Sequence, residues 1–200
     1  MNADYKVGDL IYDANIYDGL NTFLSDLQFY KKWLPENKDD RRILELCCGT
    51  GRLTLPIAKD GYNICGVDYT SSMLEQAKAK ASEAGLEINF IEADIRTLNL
   101  QEKFDFIFLD AAKGQYPLFL KECLRLLEKG GILVCDNVLF NGRVVTKIPD
   151  IRRNKTIINR LSSFLEDLES ELSVKTVILP ISDGVTVSVK EECTDEKALP

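Results

Sequence analysis

The stretch RILELCCGTGR, Arg42 to Arg52, decides how the rest of the chain is read. Arg42 to Cys48 is a short apolar run of strand character, and Gly49-Thr50-Gly51 follows it directly, ahead of a segment with helical spacing. Glycines let the backbone turn sharply and approach a ligand closely, and the free N–H groups of a helix start favour a negatively charged group. A strand, a glycine turn and a helix in that order open a crossover unit, which sends the reader looking for more of them.

They are there. Strand-like runs recur at 63–68 (NICGVD), 88–94 (INFIEAD), 104–110 (FDFIFLD), 131–137 (GILVCDN), 174–181 (VKTVILPI) and 184–190 (GVTVSVK). Between them lie helical patterns over 53–60, 71–84, 116–127 and 151–172, the last with Ile151, Ile158, Leu161, Leu165, Leu168 and Leu172 on one stripe. The alternation predicts an α/β fold: a Rossmann-like, seven-stranded, mostly parallel sheet with helices on both faces. Only Ser182 and Asp183 separate the last two runs, too few for a parallel crossover, so these should form an antiparallel C-terminal hairpin at the sheet edge. Tyr12 to Leu34 reads as one or two helices ahead of the first strand, with aromatics at Tyr17, Phe23, Phe29 and Tyr30. One domain is expected: a helical cover over 1–40, a cofactor half over 41–103, a metal and substrate half over 104–190 and a tail over 191–200.

Composition narrows the chemistry. Of 200 residues 45% are hydrophobic and 28% charged, which suits a single globular core. No apolar run reaches the roughly 18 residues of a membrane span and the N-terminus lacks a signal-peptide layout, so the expected location is the cytoplasm, with no membrane partner. The six cysteines have no paired C-x-x-C spacing and read as reduced, mostly buried thiols. Histidine is absent, which removes Ser-His-Asp and Cys-His catalysis and leaves carboxylate, amide, lysine and tyrosine. The net charge of −7 argues against a protein that coats nucleic acid. From Arg143 to Arg160, however, Arg143, Lys147, Arg152, Arg153, Lys155 and Arg160 face one acid, Asp150, so either a local positive face or a solvated helix face fits.

The glycine turn has an acidic form, E-x-x-x-G-x-G from Glu45 to Gly51, and a dinucleotide fingerprint fits less well because its third glycine position is Thr54. With Asp68 ending the second strand and Asp94 the third, the pattern resembles class I S-adenosylmethionine-dependent methyltransferases. The resemblance implies that Gly49, Thr50 and Gly51 form the cofactor loop and that Asp68 accepts both ribose hydroxyls. Asp94 with the Ile95 backbone then meets the adenine, and Glu45 lies under the methionine ammonium. Residues 8–103, with YDANIYDG and DLQFY, are similar to small bacterial methyltransferases in which leading helices fold over the cofactor; by that likeness Tyr12 helps cover the methionine moiety.

From Phe104 onward the likeness changes. FDFIFLDAAKGQYPLF, GGILVCDNVLFNGRV and ILPISDGVTVSVK resemble the metal-dependent O-methyltransferases related to catechol O-methyltransferase, and bacterial tRNA 5-hydroxyuridine methyltransferases in particular. That resemblance implies a magnesium site on Asp110, Asp136 and Asn137, with Asp110 also bordering the cofactor and Lys113 assisting proton removal as the catalytic lysine. Three oxygen donors without histidine or thiolate suit magnesium. Tyr116 and Phe140 are expected to line the pocket. The two halves resemble different subfamilies that meet near residues 100–106, as in a recombined or engineered chimera.

The expected function is therefore magnesium-dependent methyl transfer to 5-hydroxyuridine in tRNA. The alternatives are a catechol-type small molecule, or a fold that binds S-adenosylmethionine without turnover; an NAD-dependent oxidoreductase is a further class. Ile157 and Phe164 form a second apolar stripe on the last long helix, which suggests a homodimer.

Overall fold

The computed structural model describes residues 13–22, 26–147 and 152–191, with the backbone alone at 152 and 153. Tyr12, Phe23, Ile151 and residues 192–200 of the tail fall outside the described residues. Two short helices lead, α1 (Ala14–Leu20) and α2 (Leu27–Tyr30), the second running on into a 3-10 turn, Lys31–Trp33. Then follow β1 (Arg42–Leu46), α3 (Thr54–Lys59), β2 (Asn63–Asp68), α4 (Ser71–Glu83), β3 (Asn89–Glu92), β4 (Phe104–Leu109), α5 (Tyr116–Leu126) and β5 (Leu127–Cys135). The chain closes with α6 (Arg143–Thr146), α7 (Arg152–Ser170), β6 (Val174–Leu179) and β7 (Val185–Lys190).

The seven strands form one sheet in the order β3-β2-β1-β4-β5-β7-β6. The first five run parallel, and β7 is antiparallel to both of its neighbours. The predicted hairpin exists, with its second strand placed inside the sheet and its first, β6, at the edge. β5 begins four residues before the expected Gly131. Phe104 pairs with Leu127 and Phe106 with Ile132, a register shift that absorbs Gly130 at φ +73° and brings Gly131 so close to Glu128 O that a Cβ would stand 2.8 Å from it.

Both faces of the central strands are covered, as continuous apolar runs require. On one face Leu44, Leu46, Ile107, Leu109, Leu133 and Cys135 pack with α5 and α7. On the other, Ile43, Phe106, Phe108, Val134 and Val187 pack with Leu27, Tyr30, Leu53 and Ile57 from α2 and the β1–α3 region. The apolar face of α7 is wider than a single stripe. Phe164 is fully buried, edge-on to the Tyr116 ring at 5.1 Å, and the partly buried Ile157 packs against the same core, so the second stripe is engaged within the fold. Leu172, placed on the main stripe by its spacing, lies past the helix end and is 93% exposed. The five described cysteines are free thiols. Among the described residues no helix is long and apolar enough to cross a membrane.

Candidate active site

Parallel strands bring their carboxyl ends to one edge, so β1 to β5 deliver Cys47, Asp68, Ala93, Asp110 and Asp136 there. β6 runs in the same sense as β5, with the antiparallel β7 between them, so the β6–β7 turn carrying Asp183 reaches the same edge.

On the β1–β2–β3 side the loop is tightly held. Gly49 and Gly51 sit at φ +54° and +79°, and a Cβ on Gly51 would lie 2.1 Å from Leu55 Cδ1, so glycine is needed there. Asp68 is part of that frame: Gly49 N donates to its Oδ2 at 2.9 Å and Thr70 N to its Oδ1 at 2.8 Å. Each oxygen keeps a further lone pair, enough to accept a ribose hydroxyl. Asp94 accepts from the Arg96 backbone at 2.9 Å and pairs with its guanidinium, whose hydrogen bonds hold the Asp94 carboxyl below its ordinary range. Ile95 is buried in the core beside it.

The leading helices do close over this loop. The Tyr17 ring lies 3.8 Å from the position of a Cβ on Gly49. Asp18 accepts from the buried Thr50 hydroxyl at 2.5 Å and pairs with Lys80 of α4 at 2.6 Å. The Thr50 side chain is thus engaged in docking α1, and its carbonyl accepts from Lys80 Nζ at 3.3 Å. Arg52 pairs with Asp26 at 2.8 Å.

Glu45 lies at the centre, buried, accepting from the Thr54 hydroxyl. Burial pushes its carboxyl up to about 8, against the opposing pull of that hydrogen bond. Two more raised carboxyls follow on the β4–β5 side. Asp110 is pushed up to about 6, first by burial and then by Asp136, and burial raises Asp136 as well. Asp136 Oδ2 accepts from the Tyr30 hydroxyl and Oδ1 from Asn137 N, both at 2.6 Å.

Three carboxyls raised together by burial in one region would each be stabilised by positive charge beside them. The donors at the β4 and β5 exits, two carboxylates and the Asn137 amide, have the all-oxygen character of a magnesium or calcium site. No group of three His, Cys, Asp or Glu side chains able to hold a metal is found among the described residues, so such a site here needs the amide as its third protein ligand. The residues fit the group.

The loop after β5 is unusual: Asn137, Phe140 and Asn141 have φ of 56°, 48° and 53°. Asparagine tolerates the left-handed region, whereas phenylalanine is held there by its surroundings. Val138 N donates to Gly184 O at 3.0 Å and Leu139 N to Asp183 O at 2.8 Å, which straps the loop to the β6–β7 turn. Lys113 is drawn to that strap. Its Nζ donates to Asp183 Oδ2 at 2.6 Å and to Asn137 O at 3.5 Å, and lies 5.8 Å from the centre of the half-buried Phe140 ring. Tyr116 does not line an open pocket. It is fully buried, its hydroxyl donating to Asp136 O at 2.6 Å and accepting from Ala111 N at 3.3 Å, so it braces the exits of β4 and β5 from below.

Tyr30, Asp183, Asp18 and Arg52 were not assigned to the site from sequence. Only Asp183 carried a local signal, as the acid of a two-residue hairpin turn. A groove of about 730 Å³ runs along Val144, Leu165, Leu168, Val174 and Ile178, and holds none of the predicted site residues.

Comparison with known proteins bears on this arrangement. Residues 30–191 match the family described as O-methyltransferase, across the 100–106 region where two subfamilies were expected to meet. A caffeoyl-CoA O-methyltransferase of Populus kitakamiensis is 30% identical over 165 residues, 74% of this chain and 68% of that one. A probable caffeoyl-CoA O-methyltransferase of Dictyostelium discoideum is 34% identical over 152 residues, 71% of this chain and 65% of its own, so the chain spans about two thirds of these relatives. In fold, a candidate caffeoyl-CoA O-methyltransferase from Staphylococcus aureus superposes with a TM-score of 0.76 at 23% identity, over 90% of this chain and 93% of that one. With the matched span running from the tyrosine that touches Asp136 through the last strand of the sheet, this chain belongs to the O-methyltransferase family.

Proposed function

We propose that the protein transfers a methyl group from S-adenosylmethionine to one of two neighbouring oxygens on a small aromatic molecule of the catechol type, with a divalent cation, magnesium by donor chemistry, on Asp110, Asp136 and Asn137. The observation that carries this reading is geometric: the adjacent parallel strands β4 and β5 bring Asp110 and the buried Asp136 to one edge, beside the buried Glu45 of β1, and burial raises all three carboxyls. Such a set is stabilised by a cationic cofactor on one side and a hard cation on the other. The names of the relatives support a small-molecule acceptor over a tRNA base, and with it the alternative over the first sequence expectation.

Each residue then has work of its own. The 41–103 half holds the cofactor: Glu45 faces the methionine ammonium, Asp68 the ribose, Asp94 and Ile95 the base, and Gly49 to Gly51 let the backbone come close. α1 covers this half through Asp18 and Tyr17. The 104–190 half receives the acceptor. A bound divalent cation favours the deprotonated form of a substrate hydroxyl and fixes two neighbouring oxygens. Lys113, bonded to Asp183 as a donor, must release a proton before it can take one, so in the structure as it stands it orders the loop that carries Asn137. Having given one proton to solvent, it would take the proton of the substrate hydroxyl as the base.

The direct test is methyl transfer to caffeoyl-CoA, caffeic acid and bulk undermodified tRNA, each with magnesium and with EDTA. Transfer to the phenolic acceptors that requires magnesium supports the proposal. Transfer to tRNA alone, with the steep salt dependence of phosphate contacts, overturns the small-molecule reading. Cofactor binding without any turnover makes the chain a binder only.

A further inference from the structure

A hydrogen bond from the Tyr30 hydroxyl to Asp136 Oδ2, at 2.6 Å, ties the N-terminal segment to the chemical half of the molecule, between residues 106 apart in sequence. Tyr30 is 3% exposed. Its ring stands 4.5 Å from that of Phe108 on β4 and 5.4 Å, edge-on, from that of Phe29. A phenylalanine would serve this packing equally well, and a buried phenol is unfavourable unless its hydroxyl finds a partner, so the hydroxyl needs its own reason. The helix that presents it is held at its other end as well: Asp26, the N-cap of α2, pairs with Arg52 of the cofactor loop at 2.8 Å.

Asp136 shows what the hydroxyl does. Asn137 N fixes one carboxylate oxygen at 2.6 Å and Tyr30 fixes the other, so the plane of the carboxylate is set by two donors on different elements. Only the first is local; the second must be delivered from before β1.

We propose that Tyr30 is a positioning residue for the cation site: its hydroxyl holds the Asp136 carboxylate in the orientation in which it joins Asp110 and Asn137 around a divalent cation. This rests on the cation site of the reading above. Tyr30 binds neither cation nor acceptor. It acts as outer-shell donors do, by orienting a ligand whose free rotation would otherwise be lost on binding. The leading segment thereby contributes to cation affinity, and does so from a helix anchored to the cofactor loop.

The test compares Tyr30→Phe with Phe108→Leu in the full chain, with S-adenosylhomocysteine at saturation and Mn²⁺ as the probe, free Mn²⁺ being counted by electron paramagnetic resonance. Tyr30→Phe keeps the ring and removes the donor. It should weaken Mn²⁺ binding about 10- to 100-fold, the size seen for outer-shell partners, and leave S-adenosylhomocysteine affinity by calorimetry unchanged. Phe108→Leu disturbs the same packing with the donor in place, and should lower the melting temperature while leaving Mn²⁺ affinity as in the parent. Equal or tighter Mn²⁺ binding by Tyr30→Phe, an equal loss in Phe108→Leu, or a parallel loss of S-adenosylhomocysteine affinity would each overturn the assignment. A parent that binds no Mn²⁺ defeats the cation site itself, and is told apart from the other failures because no variant is needed to see it.

Discussion

The two ends of the strand edge solve opposite problems. At the β2–β3 end the acids are satisfied by the protein: Asp68 takes N–H groups from Gly49 and Thr70, and Asp94 takes those of Arg96. At the β1, β4 and β5 exits Glu45, Asp110 and Asp136 are all raised, burial being the first cause in each. The first end is a finished mould, shaped before its ligand arrives. The second holds buried carboxyls that protonation or a bound cation would stabilise, so it should be the end whose behaviour depends on what is bound.

The contrast is broken most directly by removing the cation. If the β4–β5 end depends on it and the β2–β3 end does not, EDTA should take methyl transfer to background while calorimetry still finds S-adenosylhomocysteine bound. Robust transfer in EDTA would return Asp110 to a structural role. Next in size, Lys113→Ala should lower turnover about 10²- to 10⁴-fold with magnesium still required, since the base is lost and the ligands remain. A loss confined to KM would instead assign Lys113 to ordering the Asn137 loop. Asp68→Ala attacks the finished end. Each charge-assisted hydrogen bond to the ribose is worth roughly 1.5–3 kcal/mol, and the variant also loses the clamp on Gly49, so cofactor affinity should fall by at least one such bond. Unchanged affinity by calorimetry would remove Asp68 from the site.

The smallest effect concerns pH. The Glu45 carboxyl is raised from about 4.3 in the unfolded chain to about 8 in the fold, so its contribution to stability is complete below the unfolded value and is lost as pH rises through about 8. Without ligands the melting temperature should decline between roughly pH 4.3 and 8 on this account. Glu45→Gln, neutral throughout, should flatten that decline, and a variant with the parent's slope would show that Glu45 is not its source.

Much of the strained end was legible in sequence, because an acid closing an apolar strand is a local pattern: Asp110 and Asp136 are found by reading along the chain. Their partners are not. Tyr30 and Asp136 are 106 residues apart, and Lys113 and Asp183 are 70 apart; no spacing rule connects such pairs, only the stacking order of the strands. The strands themselves followed from apolar runs bounded by turn residues, except at Glu128 to Gly130, where turn-like composition sits inside β5 because a register shift accommodates it. Ile157 and Phe164 misled in the opposite way. An amphipathic helix against a flat sheet buries a broad arc, so residues flanking the main stripe belong to the core before they suggest a partner. Tyr12 lies outside the described residues, and its assignment over the methionine moiety remains a proposal.

The place of β7 has a consequence for how the molecule is made. It is the last described strand in sequence, yet it lies between β5 and β6, and its turn supplies Asp183 to Lys113. While the ribosome is still adding residues up to Lys190, β5 presents an unpaired edge to the cell and Lys113 lacks its carboxylate. The strands that carry the glycine loop and its acids are all synthesised within the first hundred residues, whereas the chemical end must wait for a long-range strand insertion after translation has passed residue 190. The glycine loop and the acids of β2 and β3 are thus made well before the last partners of the chemical end.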